Sequence, residues 1–344
     1  MAGILHRNEG ISLQKAMNKV LLLAMREMFL KSLGVWRECK MVKKRILFIS
    51  LFLVLCIACI IIFFLTRKTS EKNFLKSWNV EDYEQLEDII SIEDAGLDNG
   101  SSVETYSIRY KSDDCEVISY LSVPKKCLKD KEAFPCIIFN HGGNREFGAD
   151  EASDIAYMAE SSGKIVFASQ YRGVNGGTGK DEFGGDDLHD VIKLIDLCEK
   201  FSFVNMDQLY MMGISRGGMM TYMAIREDDR IKKGIVVAGL ADAFMGYEQR
   251  PDMRKSVWEE LVGGTPEELP EEYKKRSAAY WADELKCPVL IIHSRKDESV
   301  SYEQAEKMVK CLEEEKKEYK FVTYEDDMHG LHPEDFEIIM EWCQ

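Results

Sequence analysis

The chain has 344 residues, 45% of them hydrophobic, with 60 Asp/Glu against 45 Lys/Arg and a formal charge of −15. That length suits one large domain or two small ones, and seven prolines and 24 glycines without repeats or low-complexity runs describe a globular chain rather than a disordered one. The acidic balance argues against nucleic-acid binding, which needs a basic patch, and by itself says little about substrate.

The charge is unevenly divided. Residues 1–68 carry twelve Lys/Arg and three Asp/Glu, whereas the remainder carries 33 and 57. Residues 1–45 read as a cytoplasmic N-terminal segment. Met41 is followed at once by Val-Lys-Lys-Arg and an apolar run, so translation from Met41 is one expectation for this segment. The alternative is a short amphipathic helix in LQKAMNKVLLLAMREMFLKSL. The run from Ile46 to Leu65, ILFISLFLVLCIACIIIFFL, has twenty apolar or small residues and no charge, which matches a bilayer core. It has no polar face, unlike a helix buried in a soluble domain. A cleaved signal peptide fits less well because no small-x-small site follows, and Ala58-Cys59 is a poor lipoprotein site. Within fifteen residues the upstream flank has six Lys/Arg and the downstream flank four, which places the N-terminus inside and the large domain outside. CIAC inside the span is not a metal site. The seven cysteines after it show no CxxC spacing and read as reduced, mostly buried thiols.

Residues 66–100 are polar and acidic, and read as a stalk with one short helix around Val80–Ile90. The periodicity then changes, and residues 101–344 read as one domain. Val103–Tyr110 and Cys115–Val123 alternate around Ser112-Asp113-Asp114, the pattern of a hairpin. Strand-like runs follow at Cys136–Phe139, Lys164–Ser169, Gln208–Gly213, Lys233–Gly239, Pro288–Ser294 and Lys320–Glu325. Helical stretches fall between them at Asp150–Ser161, Asp187–Glu199, Arg216–Arg226, Ser301–Lys316 and Glu334–Trp342. Alternation of this kind, with unbroken apolar strands, predicts an α/β fold with a mostly parallel sheet covered on both faces. Leu240–Leu285 breaks the rhythm with helical pieces and no strand. It is expected to wall a site at the carboxyl ends of the strands, with Phe244 and Tyr247 as candidates for that wall or for the core.

Ser215, in MMGISRGGMM, falls where a strand ends and a helix begins, the context that gives G-x-S-x-G meaning. Gly213 and Gly217 stand where larger residues would meet the neighbouring backbone. The strained turn lifts the hydroxyl out of the sheet, and the methionines around it read as core. A lone serine in a glycine turn can be idle, so its partners decide. A base should follow the last strand: His329 in EDDMHGL suits a loop, and His332, before Pro333, suits a cap on the last helix. HGLH has no third ligand cluster to make a metal site. A carboxylate should follow the preceding strand, where Asp297 stands in SRKDESV. The order Ser215, Asp297, His329 is the one this fold requires. For the oxyanion hole, the Arg216 amide follows the nucleophile, and HGG after the first parallel strand offers Gly143, with Gly142 second. RGVNGGTGKDEFGG resembles a phosphate loop but has Val174 and Asp181 where that motif needs glycine and Ser/Thr. It reads as a glycine-rich loop beside the site.

Together HGG, QYRGVNGGTG…FGGDD, GISRGGMM, SAAYWADELKCPVLIIHSRKDESV and DDMHGL resemble the catalytic domain of the prolyl oligopeptidase-like α/β-hydrolases, over roughly residues 100–344. The resemblance implies an eight-stranded sheet, a Ser215–Asp297–His329 triad, and oxyanion donors at Arg216 and Gly143. Peptidases of the family carry an N-terminal β-propeller, for which an anchor and stalk leave no room, so substrate class does not carry over. Some use an oxyanion tyrosine where His141 stands, which favours the backbone-only version here. The expected function is a membrane-anchored serine hydrolase without metal or organic cofactor, acting on a small acyl ester or a peptide, with esters favoured. The competing reading is a non-catalytic hydrolase-fold protein that binds a partner.

Overall fold

A computed structural model describes residues 23–31, 77–97 and 100–344. The chain divides into two units, Met1–Lys72 and Asn73–Gln344. In the first, residues 23–31 are helical. The Ile46–Leu65 run lies outside the described residues. Among those described, no helix is long and apolar enough to cross a membrane.

The second unit is built on a sheet of nine strands: β1 (Ile89–Asp94), β2 (Val103–Ser112), β3 (Cys115–Pro124), β4 (Phe134–Asn140), β5 (Ile165–Ser169), β6 (Val204–Ile214), β7 (Lys233–Val237), β8 (Val289–Ser294) and β9 (Tyr319–Tyr324). Their order is β1-β2-β3-β5-β4-β6-β7-β8-β9. β1, β2 and β3 run antiparallel, β3 joins β5 antiparallel, and every later pairing is parallel.

The expected eight strands are therefore nine. The extra one, β1, and the 3-10 turn Val80–Gln85 come from the segment read as a stalk, where Val80 and Tyr83 are fully buried. IISIED alternates weakly, and its burial fades toward the acidic end, as an edge strand permits.

The hairpin forms as the sequence dictates. Ser112 pairs with Cys115 across a two-residue turn in which Asp113 takes φ 51°, the positive φ such turns need. Strands β4 to β9 alternate between two cores. Cys136 and Ile138 face one, under the helices Asp187–Lys200 and Arg216–Glu227, while Ile137 and Phe139 face the other, under Ala152–Ser162 and Asp335–Trp342. Met211, Met219, Met220 and Met223 belong to the first core and Met212 to the second. The methionines around Ser215 are thus packing atoms.

The topology places the site. The chain passes from β4 to β5 and then returns across β4 to β6. Helices feeding these neighbours lie on opposite faces, and a crevice opens at the carboxyl ends of β4 and β6. Asn140 and Gly213 pair at that end, and Ser294 pairs with Tyr324 two strands beyond β6, on β8 and β9. His141-Gly142-Gly143 is thereby set beside Ser215, and the loop of Asp297 beside that of His329.

Candidate active site

Ser215 links β6 to the helix Arg216–Glu227 with φ 59° and ψ −120°. A non-glycine residue holds such values only when its surroundings enforce them. The glycines are those surroundings. A Cβ on Gly213 would collide with the Gly217 carbonyl, and one on Gly217 with the Asn140 carbonyl, both well inside contact distance. Helix and strand therefore approach backbone to backbone, and the turn has no softer conformation to relax into.

The Asp297 carboxylate is the best-satisfied polar group of the site. Its Oδ2 lies 2.7 Å from His329 Nδ1 and 3.4 Å from His293 Nε2. Its Oδ1 accepts from the Ser299 and Val300 amides at 2.8 and 3.0 Å. Burial pushes this carboxyl up, but the hydrogen bonds from His293, His329 and Val300 together outweigh it. The group sits well below the usual carboxylate range and is anionic throughout the neutral range. The side chain is wholly buried, whereas that of His329 is 28% exposed. His329 thus has one ring nitrogen fixed by a buried anion and the ring open to the cavity. An anion on Nδ1 sets the tautomer that leaves Nε2 free to accept a proton.

His332 is held elsewhere. Its Nε2 lies 2.9 Å from Asp326 Oδ2, its amide donates to Asp335 at 2.7 Å, and its ring stacks on Tyr324. It belongs to the entry of the last helix, as Pro333 beside it suggested.

The two expected sources of oxyanion donors both border Ser215. Arg216 opens the helix, so its amide has no carbonyl one turn earlier to bond. Gly142 packs directly on the serine: a Cβ there would lie 3.1 Å from Ser215 Cβ and 3.7 Å from Oγ. Gly143 has φ 72°, and a Cβ on it would collide with the Phe147 carbonyl. Ser215, Arg216, Gly142, Gly143 and His329 line one cavity of about 460 Å³.

The side chain of Arg216, which the motif leaves free, turns out to tie the site together. It is 1% exposed and pairs with Asp181 at 2.7 Å and with Asp187. Its guanidinium lies over the rings of Tyr171 and Phe183, at 4.6 and 5.1 Å. Asp181 also accepts from the Arg145 and Phe183 amides. The glycine-rich loop after β5 is thereby fastened to the nucleophile turn, and Phe183 from it reaches the cavity wall. His141 is buried on Tyr171, whose hydroxyl donates to the His141 carbonyl. Burial, and then the Arg216 cation, lower the His141 pKa to about 4. It is a neutral packing group, not a second base.

The inserted segment walls the cavity, as expected of it, while Phe244 and Tyr247 take the core reading rather than the wall. Gly246, Arg250, Met253, Val257 and Trp258 line it, the last two from a π-helix at Arg254–Val262. Phe244 and Tyr247 are not among the lining residues. They pack on Tyr273 at 5.6 and 5.8 Å, against the first core. His293, Asp181 and Asp187 join the site although no motif marks them. The available signals were His293 four residues before Asp297 and the acids flanking FGG.

Comparison with known proteins agrees with this fold. The sequence profile of the prolyl oligopeptidase family matches residues 151–342. The uncharacterized peptidase YtmA of Bacillus subtilis is 30% identical over 234 residues, 68% of this chain and 89% of that protein. The acylaminoacyl peptidase of Pyrococcus horikoshii superposes with a TM-score of 0.60 at 23% identity, over 70% of this chain and 41% of its own. An acetyl xylan esterase from Paenibacillus sp. R4 superposes with a TM-score of 0.61 at 16% identity, over 80% and 92%. At these identities the two structures show the α/β-hydrolase fold alone. The chain spans most of YtmA but about two-fifths of the Pyrococcus enzyme.

Proposed function

The chain belongs to the prolyl oligopeptidase family of serine hydrolases, and from that premise we propose that it is a serine peptidase working through Ser215, His329 and Asp297. The observation that carries this reading is the strained Ser215 turn in one cavity with a histidine held by a buried anion. The lean toward small esters gives way. It rested on the expectation that no propeller precedes the catalytic domain, yet YtmA, which this chain covers over 89% of its length, is named an uncharacterized peptidase and has no propeller-sized remainder. The acetyl xylan esterases share the fold at identities too low to speak for substrate.

In the proposed reaction Ser215 Oγ attacks the amide carbonyl carbon and its proton passes to His329 Nε2. The imidazolium that forms is stabilised by Asp297. The carbonyl oxygen takes the negative charge and receives the amides of Arg216 and Gly143, with Gly142 at its side. The carbon–nitrogen bond breaks as His329 returns the proton to the leaving amine. Water, deprotonated by the same nitrogen, then releases the acyl group from Ser215. The test compares kcat/KM on N-acyl peptide aminocoumarins and on nitrophenyl acetate. The peptide reading expects turnover of the amide, lost in S215A. Hydrolysis of the ester with none of any peptide in a broad library would return the reading to an esterase.

The reading extends to Ile46–Leu65 as a single-pass anchor with the N-terminus inside and the catalytic unit outside. Its support is the uncharged twenty-residue run and the basic flank before it. Resistance to carbonate extraction, with the catalytic unit open to added protease on intact cells, is the expected outcome; release by carbonate would remove the anchor.

A further inference from the structure

The two amides assigned to the oxyanion come from segments that the sheet does not tie together. The pairing of β4 with β6 ends at Asn140 and Gly213. Gly143 and Arg216 each lie three residues past that end. Steric contact limits their approach, because Gly142 packs on Ser215 and Gly217 on the Asn140 carbonyl. Contact of that kind stops the two segments from closing further and does nothing to stop them parting. An oxyanion hole needs both donors about 2.7–3.1 Å from one oxygen, so an attractive interaction must set their separation.

A single carboxylate oxygen supplies it. Asp181 is 5% exposed, and its Oδ2 accepts from Arg216 Nη1 at 2.7 Å and from the Arg145 amide at 2.6 Å. Its Oδ1 accepts from the Phe183 amide at 2.7 Å, which fixes the plane of the group. Arg216 opens the helix after Ser215 and carries one donor. Arg145 belongs to the turn that follows Gly143. In that turn the Asn144 and Phe147 amides donate to each other's carbonyls at 2.9 and 3.0 Å. The Arg145 amide, on a residue with φ 52°, goes to Asp181 instead. The Phe147 carbonyl closes back on Gly143, where a Cβ would collide with it. Holding the turn therefore holds Gly143. Arg216 Nη1 also lies 3.4 Å from the Gly143 carbonyl, a second and longer link between the same two segments.

Other groups nearby do not share this task. Asp187 accepts from Arg216 Nη2 and from the Gly184 amide, neither of them in the Gly143 turn. It neutralises the cation, whereas Asp181 spans the gap. The Arg145 side chain reaches the Ser256 carbonyl at 3.0 Å and Glu260 at 2.8 Å, but the ion pair is exposed on both sides and holds little. Asp181 itself is not among the residues lining the cavity, so it acts through the groups it binds.

We infer that Asp181 is the positioning residue of the oxyanion hole, its Oδ2 setting the distance between the Arg216 and Gly143 amides by holding the helix that carries one and the turn that locks the other. The inference rests on the acyl-enzyme reading and adds to it a residue that neither touches substrate nor exchanges a proton.

The experiment uses the full chain, N-acyl peptide aminocoumarins and nitrophenyl acetate, with active sites counted by a fluorophosphonate taken to completion. D181N leaves one acceptor oxygen where three donors now share two. Its kcat per labelled site, read on the high-pH plateau, should fall about hundredfold with KM little changed, the cost of one misplaced oxyanion donor. D181E keeps the buried charge for Arg216 but shifts the oxygens by one methylene, and should fall by about tenfold or more. A merely structural role would lower the number of labelled sites and leave kcat per site as in the parent. That result, an effect confined to KM, or a fall that disappears on the plateau would overturn the inference, while turnover by the parent leaves the peptidase reading standing. Should D181N not fold, D181E decides on the same terms. A parent that hydrolyses the ester alone would remove the peptide reading, and the same comparison on that ester would still decide the inference. A folded parent that neither labels nor turns over either substrate would remove both.

Discussion

The turn at Ser215 and the segment from Leu240 to Leu285 wall the same cavity and hold their residues by different means. At the turn, backbone meets backbone. Gly213 and Gly217 leave no room for another conformation, and the buried pairs of Arg216 with Asp181 and Asp187 close it from outside. In the inserted segment, short helices, 3-10 turns and one π-helix pack through side chains, chiefly Trp258, Tyr273 and Phe244. The first arrangement fixes where a hydroxyl stands. The second shapes what comes near it, and many residue choices would pack as well. The contrast teaches that chemistry here is specified by sterics of the main chain and selectivity by side chains on an insertion.

Changes at the two regions should therefore differ in kind. The largest expected effect lies outside the insertion, at the carboxylate that serves the Ser215 turn through His329. D297N keeps the shape but removes the anion that sets the His329 tautomer, and kcat should fall by about 10⁴. The same substitution has a pH signature. The folded pKa of Asp297 is depressed, so its stabilisation is complete above the unfolded value near 3.9 and lost as pH falls through the folded value. Denaturation midpoints of parent and variant should differ most at neutral pH and begin to converge below about pH 4. Equal midpoints at pH 7 would mean the carboxylate network contributes nothing to the fold.

D187N is next. It leaves the buried Arg216 with Asp181 alone, and breaking such a pair is expected to destabilise by about 3–5 kcal/mol, read as a lower urea midpoint with an unchanged slope. A loss within error of zero would show that the turn is held by its glycines only. The smallest effect belongs to the wall. G246A places a methyl against Trp258 Cζ2, and the change should appear in KM for peptide substrates, by about tenfold, rather than in kcat. A fall in kcat instead would mean that the wall also sets the geometry of the chemistry, and the contrast between the regions would fail.

The same contrast decides what the sequence disclosed. Strands β4 to β9, their helices, and the order of Ser215, Asp297 and His329 are legible because they follow from periodicity and from glycines at short fixed offsets. β1 was hidden because IISIED has little alternation and an acidic end, so the residues around it read as a stalk helix. Arg216 reaches Asp181 and Asp187 across 35 and 29 positions, and no local pattern announces a pairing at that range. His293 is in plain sight four residues before Asp297, but only burial of the β8 end turns it toward the carboxylate. In the inserted segment the aromatic residues were visible and their directions were not. Phe244 and Tyr247 pack against the core without bordering the cavity, whereas Trp258, buried in that same core, also borders the cavity.

The account stands most directly on the reactivity of Ser215. Intact-mass analysis of the full chain after brief exposure to a fluorophosphonate, followed by peptide mapping, measures it. One adduct on Ser215, absent in S215A and much slowed in D297N, is the predicted result. A folded chain that stays unmodified, or carries its adduct elsewhere, would contradict the claim that this turn presents an activated nucleophile.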